Sequence, residues 1–350
     1  MPVQRAAAVA GERLVGKRVA SVKRNPITPT IDFDKDGVQH GHLRLPHSHD
    51  NSAWGAIMTP ITQVKNGEGP TALLSGANHG DEYEGPIALA KLASQLTADD
   101  VQGRVIIVPA MNFPAFRAGR RVSPIDGGNL NRAFPGRADG TVTEKIADYF
   151  TTTLLAMADY VLDIHSGGKT LDFVPFAAMH RHDDVQQDAA CEAAMQAFGA
   201  PYAMYMVEMD PVGLYDTEAE RQGKVFVTTE LGGGGTTTAA TVAIADRGVA
   251  NFLRHAGILR GDVEAQHSRL LDMTGEGCFI TATERGLLEP CLDLGDDVSK
   301  GDVVARIWSL DHPSRQAHEY VAEASGILAA RHFPSLVEVG DCIGVVARGV

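Results

Sequence analysis

The chain has 350 residues, 44% apolar and 21% charged, an ordinary balance for a soluble globular protein. Its 31 Lys and Arg face 44 Asp and Glu, a formal net charge of −13 that makes nucleic acid and anionic membranes unfavourable partners. The four cysteines, Cys191, Cys278, Cys291 and Cys342, are far apart with no CxxC pair. They read as reduced thiols of a cytoplasmic protein rather than a disulfide frame or a cysteine metal site. No stretch approaches the roughly 20 apolar residues of a membrane span. The Ala- and Arg-rich start, Met1 to Asn25, contains Glu12 and lacks a long apolar core, so it is not read as an export signal.

Residues 1–50 read as a polar lead-in with short strands, ending in the His-rich HGHLRLPHSH. From Ala56 the pattern turns α/β. AIMTPITQV predicts a strand, NGEGP a turn, and TALLSGA a second strand that stops at NHGDEYEGP. IALAKLASQL then has helical spacing of apolar residues, with Pro86 suited to the first turn. RVIIVPA is an apolar run of the kind buried on both faces of a sheet. EKIADYFTTTLLAMA predicts a helix, DYVLDIHSGG a core strand ending in glycines, and KVFVTTELGGGG repeats that design. The alternation predicts an α/β domain over residues 51–270, a sheet with helices packed on its faces.

Beyond Leu271 helical periodicity vanishes, and residues 271–350 predict a small all-β C-terminal domain. GLLEPCLDLGDDVSKGDVVARIWSL and GILAARHFPSLVEVGDCIGVVARGV form two related halves, each with a Gly-Asp turn leading into a Val- or Ile-rich strand. This is similar to the barrel-sandwich hybrid of biotinyl and lipoyl domains. No lysine lies between Arg315 and Gly326, where such a domain carries its cofactor, so a structural or oligomerising role is the better reading. Its edge strands offer a surface for forming a homo-oligomer.

In HGDE, His79 and Glu82 stand three apart where a core strand yields to a helix, a spacing that puts two side chains on one side of a helical turn. Imidazole and carboxylate are both zinc ligands, and a catalytic site needs three plus an open position. His165 in DIHSGG fits as the third, because open sheets bind ligands beyond the carboxyl ends of their strands. HxxE alone is a short motif, and acidic residues at a helix N-terminus are common for dipole reasons. Glu230, at the end of KVFVTT, is again at a strand end, before glycines that let a ligand approach the backbone. A carboxylate beside a metal but not bound to it can move a proton from water to a leaving amine. The plainer reading is a solvated loop glutamate. GRRVSPIDGGNLNRAFPG brings Arg120, Arg121 and Arg132 together, with Arg137 just after it. Arginine grips carboxylates in a bidentate fashion, and asparagine adds a neutral donor.

HGDE, NLNRAFPG, DIHSGG and TELGG, in this order and spacing, resemble the succinylglutamate desuccinylase and aspartoacylase family of the zinc carboxypeptidase superfamily. The resemblance spans roughly Pro60 to His255, and a β-rich C-terminal domain is typical of bacterial members. It implies a zinc-carboxypeptidase-like mixed sheet with helices on both faces. It implies one zinc ion per chain held by His79, Glu82 and His165, and an N-acyl amino acid as the small-molecule partner. Glu230 would be the general base and acid, and Asn131 and Arg132 would hold the substrate carboxylate. An upstream arginine, Arg121 or Arg120, would polarise the scissile carbonyl, with Arg121 preferred. SAWGAIMTPITQVKNGEGPTALLSGANHGDEYEG and RRVSPIDGGNLNRAFPG resemble most the branch that deacetylates N-α-acetyl-L-2,4-diaminobutyrate in ectoine degradation.

Two alternatives stay open. One is a desuccinylase or other deacylase, for which Arg120, Arg137 or Arg221 would meet a second carboxylate. The other is a non-catalytic small-molecule or partner-binding module, against which an intact His-Glu-His set with Glu230 counts. The pairs His40/His42, His47/His49 and His180/His182 have no strand-end carboxylate or third histidine linked to them and read as residues of solvated loops or makers of local hydrogen bonds. LGGGG lacks the Lys-Ser/Thr of a P-loop, and no GxSxG nucleophile elbow occurs. The carboxylate that would meet a substrate ammonium is not legible.

Overall fold

The computed structural model describes residues 24–207 and 210–350. Most of the Met1–Asn25 stretch, and with it the reading that it is no export signal, lies outside the described residues. One large mixed sheet organises the rest. Its strands are β1 (Gly37–Pro46), β2 (Ala56–Asn66), β3 (Thr71–Gly76), β4 (Gly103–Val108), β5 (Tyr160–His165), β6 (Phe176–Met179), β7 (Tyr202–Tyr205), β8 (Val225–Glu230) and β9 (Arg269–Asp272). Across the sheet they run β1-β2-β4-β3-β5-β8-β6-β7-β9. The middle four, β4, β3, β5 and β8, are parallel, so their carboxyl ends share one edge. β1 and β2 run antiparallel to their neighbours, and β6 runs antiparallel to β8 but parallel to β7.

Successive residues of these strands alternate between two cores, which is why the central runs are apolar throughout. Ala72, Leu74, Val105, Ile107, Leu162 and Ile164 face a core closed by α1 (Glu84–Gln95) and by two further helices. Leu73, Ile106, Val108, Val161 and Phe226 face a second core on the opposite side. That side is covered by α3 (Val142–Tyr149), which follows the short α2 (Phe113–Ala118), and by α5 (Tyr215–Arg221). The helices joining α1 are α4 (Val185–Phe198) and α6 (Ala239–His255). Each fully buried Leu, Ile or Phe in these layers contributes about 1.5–3 kcal/mol through burial. Cys191 belongs to the first core, where burial pushes its thiol up to about 11, and it packs as a small hydrophobe. Among the described residues no helix is long and apolar enough to cross a membrane.

Two local details differ from simple periodicity. α1 begins at Glu84, ahead of the apolar run, with Pro86 in its first turn. α3 starts at Thr141 with a capping box to Glu144, then widens into a π-turn over Phe150–Leu154 before a last helical turn to Met157. The wider turn holds three consecutive threonines, and Gln222 Nε2 donates to the carbonyl of Thr151 inside it (3.2 Å). A side chain inserted into the ladder is a recognised cause of such irregularity.

The C-terminal strands form the expected β architecture and also extend the large sheet. β10 (Gly326–His332) and β11 (Cys342–Gly349) continue it through an antiparallel β9–β11 pair, while Leu171–Phe173 pairs with β10. A separate antiparallel sheet, His318–Val321, Val303–Trp308, Gly286–Pro290 and Leu336–Val337, closes over an apolar layer that includes Leu288, Ile307, Leu328 and Val346. The two related halves exchange their short strands. Asp297 and Val298 of the first half pair with Ile327 and Gly326, and Leu336 and Val337 of the second pair with Leu287 and Gly286. Neither half is a complete sheet alone, so the duplication read in the sequence is an interlocked unit.

Candidate metal centre and substrate cleft

His79 is aimed by the way β3 ends. Ala77 takes a left-handed conformation (φ 50°), which turns the chain sharply out of the sheet. Gly80 then packs on the backbone of α2, where an added Cβ would lie 2.1 Å from the carbonyl carbon of Ala115. Only glycine permits that approach, and it seats the HGDE turn over the strand edge. Glu82 is nearly inaccessible, with Oε1 2.8 Å from His79 Nδ1 and Oε2 2.8 Å from His165 Nδ1. The main-chain N–H of Ser166 also donates to Glu82 Oε2 (3.2 Å), and that of Lys169 donates to Asp81 Oδ2 (3.0 Å). The HGDE and DIHSGG turns are thereby tied together.

β5 supplies the other side. Val161, Asp163 and His165 point to one face by strand alternation. Asp163 Oδ2 lies 2.8 Å from His165 Nε2, and the same carboxylate accepts from Asn78 Nδ2 (3.0 Å) and Ser75 Oγ (2.8 Å). A carboxylate on one ring nitrogen fixes the other as the outward-facing donor, the usual support of a metal-binding histidine. The D-x-H spacing on a strand carries that signal in the sequence, and the sequence reading passed over it.

The donor atoms of His79, Glu82 and His165 all lie within 4.8 Å of one another, and all three residues are buried. Burial opposes ionisation of Glu82, but the imidazoles of His165 and His79 hold its carboxyl well below the usual carboxylate range. Burial likewise opposes charge on His165, yet Glu82 and Asp163 hold it well above the ordinary imidazole value. Two carboxylates around one imidazole leave a local excess of negative charge that a divalent cation neutralises. Two imidazoles and one carboxylate suit a catalytic zinc, and so does the open side of the cluster. The residues fit the metal.

That open side faces a cleft of about 530 Å³, including its mouth, lined by His79, His165, Arg121, Asn131, Arg132 and Glu230 among others. Glu230 ends β8 directly beside His165 in register. Arg121 Nη1 lies 3.3 Å from His79 Nδ1 and 3.8 Å from Glu82 Oε1. Both arginines are exposed, but Arg121 lines the cleft and Arg120 does not, which separates the two candidates. Asn131 uses its Oδ1 to accept from the N–H of Tyr215 (3.0 Å), which leaves its amide nitrogen for a ligand. Arg137 pairs with Glu144 and Arg221 with Glu218, and neither lines the cleft. The glycines after Glu230 serve packing: a Cβ on Gly233 would lie 2.0 Å from the carbonyl oxygen of Leu171. Among the described residues no paired-histidine segment forms a metal-type cluster. His40 bonds Thr62, His47 stacks on His49, and His180 lies 3.0 Å from Glu220. Asp216 and Met206 also line the cleft, and no motif in the sequence pointed to either.

Residues 68–256 match the family described as succinylglutamate desuccinylase/aspartoacylase catalytic domain. Over 338 residues the chain is 55% identical to the N-α-acetyl-L-2,4-diaminobutyric acid deacetylase of Halomonas elongata, covering 96% of this chain and 99% of that protein. The product-bound ectoine utilization protein EutE (DoeB) of Ruegeria pomeroyi superposes with a TM-score of 0.91 at 59% identity, covering 93% of this chain and 99% of that one. A structure described as a succinylglutamate desuccinylase from Silicibacter sp. TM1040 gives a TM-score of 0.91 at 58% identity, over 94% of this chain and all of that one, 100%. With more than half its length matching the family and near full-length relatives at this identity, the chain belongs to the succinylglutamate desuccinylase/aspartoacylase family.

Proposed function

We propose that the protein is a zinc-dependent amidohydrolase that converts N-α-acetyl-L-2,4-diaminobutyrate to acetate and L-2,4-diaminobutyrate, a step of ectoine degradation. The observation that carries this reading is a His-Glu-His donor set, Arg121 and Glu230 opening into one cleft. Similarity over nearly the whole chain to the Halomonas elongata deacetylase supplies the substrate. One zinc ion per chain, held by His79, Glu82 and His165, would supply Lewis acidity and a more acidic water.

The protein's own groups do the rest. Asn131 and Arg132 hold the α-carboxylate, which in an N-acetyl amino acid lies on the leaving-amine side. Arg121, its guanidinium against the donor cluster, directs N–H groups at the scissile carbonyl oxygen and stabilises the charge that develops there. Glu230 accepts a proton from the attacking water and delivers it to the departing amine, a task for a carboxylate close to the reaction but outside the donor set. A succinyl substrate needs a further cation for its extra carboxylate. Arg120, Arg137 and Arg221, the arginines available for that, are not lining residues, which favours the acetyl group.

The test is a panel of N-α-acetyl-L-2,4-diaminobutyrate, N-acetyl-aspartate and N-succinyl-glutamate, assayed for amine release with and without chelator. The acetyl-diaminobutyrate is expected to give the highest kcat/KM, chelation to abolish turnover, and zinc to restore it. A win for N-succinyl-glutamate would overturn the substrate reading. Chelator-resistant turnover would overturn the metal reading.

Arg132→Ala checks the carboxylate clamp. A desolvated charge-assisted fork is worth about 2–5 kcal/mol. Arg132 is exposed in the free protein, so the lower end applies, a loss of about 30-fold in kcat/KM. The loss is expected to shrink for a substrate whose α-carboxylate is amidated. If the native protein hydrolyses the amide as readily as the acid, Arg132 is not a carboxylate anchor.

A further inference from the structure

A substrate with a side-chain ammonium needs an opposite charge in the cleft. Three carboxylates line it: Asp163, Glu230 and Asp216. Asp163 is committed to His165, Asn78 and Ser75. Glu230 ends β8 beside His165, where the mechanism uses it for proton transfer. Asp216 has no such task. It is 7% exposed yet lines the cleft, and its hydrogen bonds from Thr217, main chain and hydroxyl, both go to Oδ1. The cations around it are engaged by other carboxylates: His180 lies 3.0 Å and His182 3.9 Å from Glu220, and Arg221 lies 2.8 Å from Glu218. Burial raises its carboxyl above the ordinary range, opposed by the neighbouring charge of His180. A carboxylate buried in this way is costly until a cation meets it.

Its position is fixed relative to the carboxylate clamp. The N–H of Tyr215, the preceding residue, donates to Asn131 Oδ1, and the N–H of Phe134 donates to the carbonyl of Gly213 (both 3.0 Å). Gly213 presses on the main chain of Arg132, where an added Cβ would lie 2.5 Å from the carbonyl oxygen. The start of α5 is therefore docked on the loop that carries Asn131 and Arg132. A substrate held by its carboxylate on that loop meets the Asp216 carboxylate at a set separation.

We infer that Asp216 determines side-chain selectivity by pairing with a primary ammonium at the end of the substrate side chain, an inference that rests on the deacetylase reading above. An acidic side chain there meets an uncompensated like charge, and an apolar one leaves the carboxylate buried and unmet. Selectivity then comes as much from rejecting the wrong side chain as from holding the right one.

The experiment compares kcat/KM for N-α-acetyl-L-2,4-diaminobutyrate and N-acetyl-L-norvaline, whose side chain has the same length and no charge. In the native protein the cationic substrate is expected to lead by about 100-fold. In Asp216→Asn that ratio is expected to fall by about 30-fold, because the loss falls chiefly on the cationic substrate. A merely structural role would depress both substrates and leave the ratio in place, and an unchanged ratio overturns the inference. If the Asn variant does not fold, the native protein crystallised with L-2,4-diaminobutyrate decides. The side-chain nitrogen within hydrogen-bond distance of Asp216 supports the assignment, and any other location overturns it. If the native protein prefers N-succinyl-glutamate, the deacetylase reading itself falls. If it prefers the cationic substrate and Asp216→Asn keeps that preference, only Asp216 is wrong.

Discussion

His165→Ala is expected to leave a folded protein with neither bound metal nor measurable amidase activity. The imidazole is one of three donors, and its Nδ1 sits 2.8 Å from the carboxylate of Glu82 that the metal would share. Two remaining donors make a poor site for zinc, which takes three protein ligands even where it keeps an open position. Asp163→Asn provides the graded companion. It leaves the donor set intact but weakens the carboxylate hold on His165 Nε2, and losses of about 10- to 100-fold in metal affinity or activity are typical of such supports. Metal content after dialysis, followed by zinc titration against activity, separates the two. Asp163→Asn recovers as zinc is added and His165→Ala does not. Full metal occupancy in the His165 variant would remove it from the donor set and require the centre to be redrawn.

The contrast between these two residues marks how far the sequence reaches. His79, Glu82, His165 and Glu230 each stand at or just beyond the carboxyl end of a parallel strand. An apolar run that stops at a polar residue and glycines announces such a place without any alignment. The strands themselves were legible because both faces are buried, which leaves little room for polar residues. Asp163 was harder to see, since it lies within an apolar strand and its meaning depends on knowing that His165 needs a partner. Asp216 was out of reach. It opens a short helix, α5, whose place over the cleft is set by long-range contacts to Asn131 and Phe134, 84 residues away in the first case. No local pattern encodes such a contact. The interlocked C-terminal halves show the same boundary, for the repeat was visible while the exchange of short strands between its halves was not.

Charge explains why Arg121 and Arg132 could be singled out only in part. Four arginines near one loop, in a chain with a net charge of −13, suggest an anion site. Sequence does not say which guanidinium turns inward. Arg121 does so because the Glu82 carboxylate is behind it, at 3.8 Å, whereas Arg137 finds Glu144 on α3. The partner decides, and the partner of Arg121 belongs to a different segment of the chain.

Glu230→Gln is expected to retain its metal and lose about two to four orders of magnitude in kcat, the range for removing a positioned general base. Glutamine keeps the length and most of the hydrogen-bonding capacity of glutamate, so the end of β8 and its pairing with β5 need not change. What disappears is the ability to take a proton from water and return it to the amine. The loss therefore falls on kcat rather than on KM, and equally on cationic and neutral substrates. That pattern separates it from Asp216→Asn, which changes the ratio between substrates, and from His165→Ala, which removes the metal. Metal content measured on the same preparation as the kinetics is the decisive pair of readings. Loss of metal in Glu230→Gln would make Glu230 a ligand, and an unchanged kcat would take it out of the proton path. Retained metal with a slow, substrate-independent turnover is the result that fits a carboxylate placed beside the donor set and outside it.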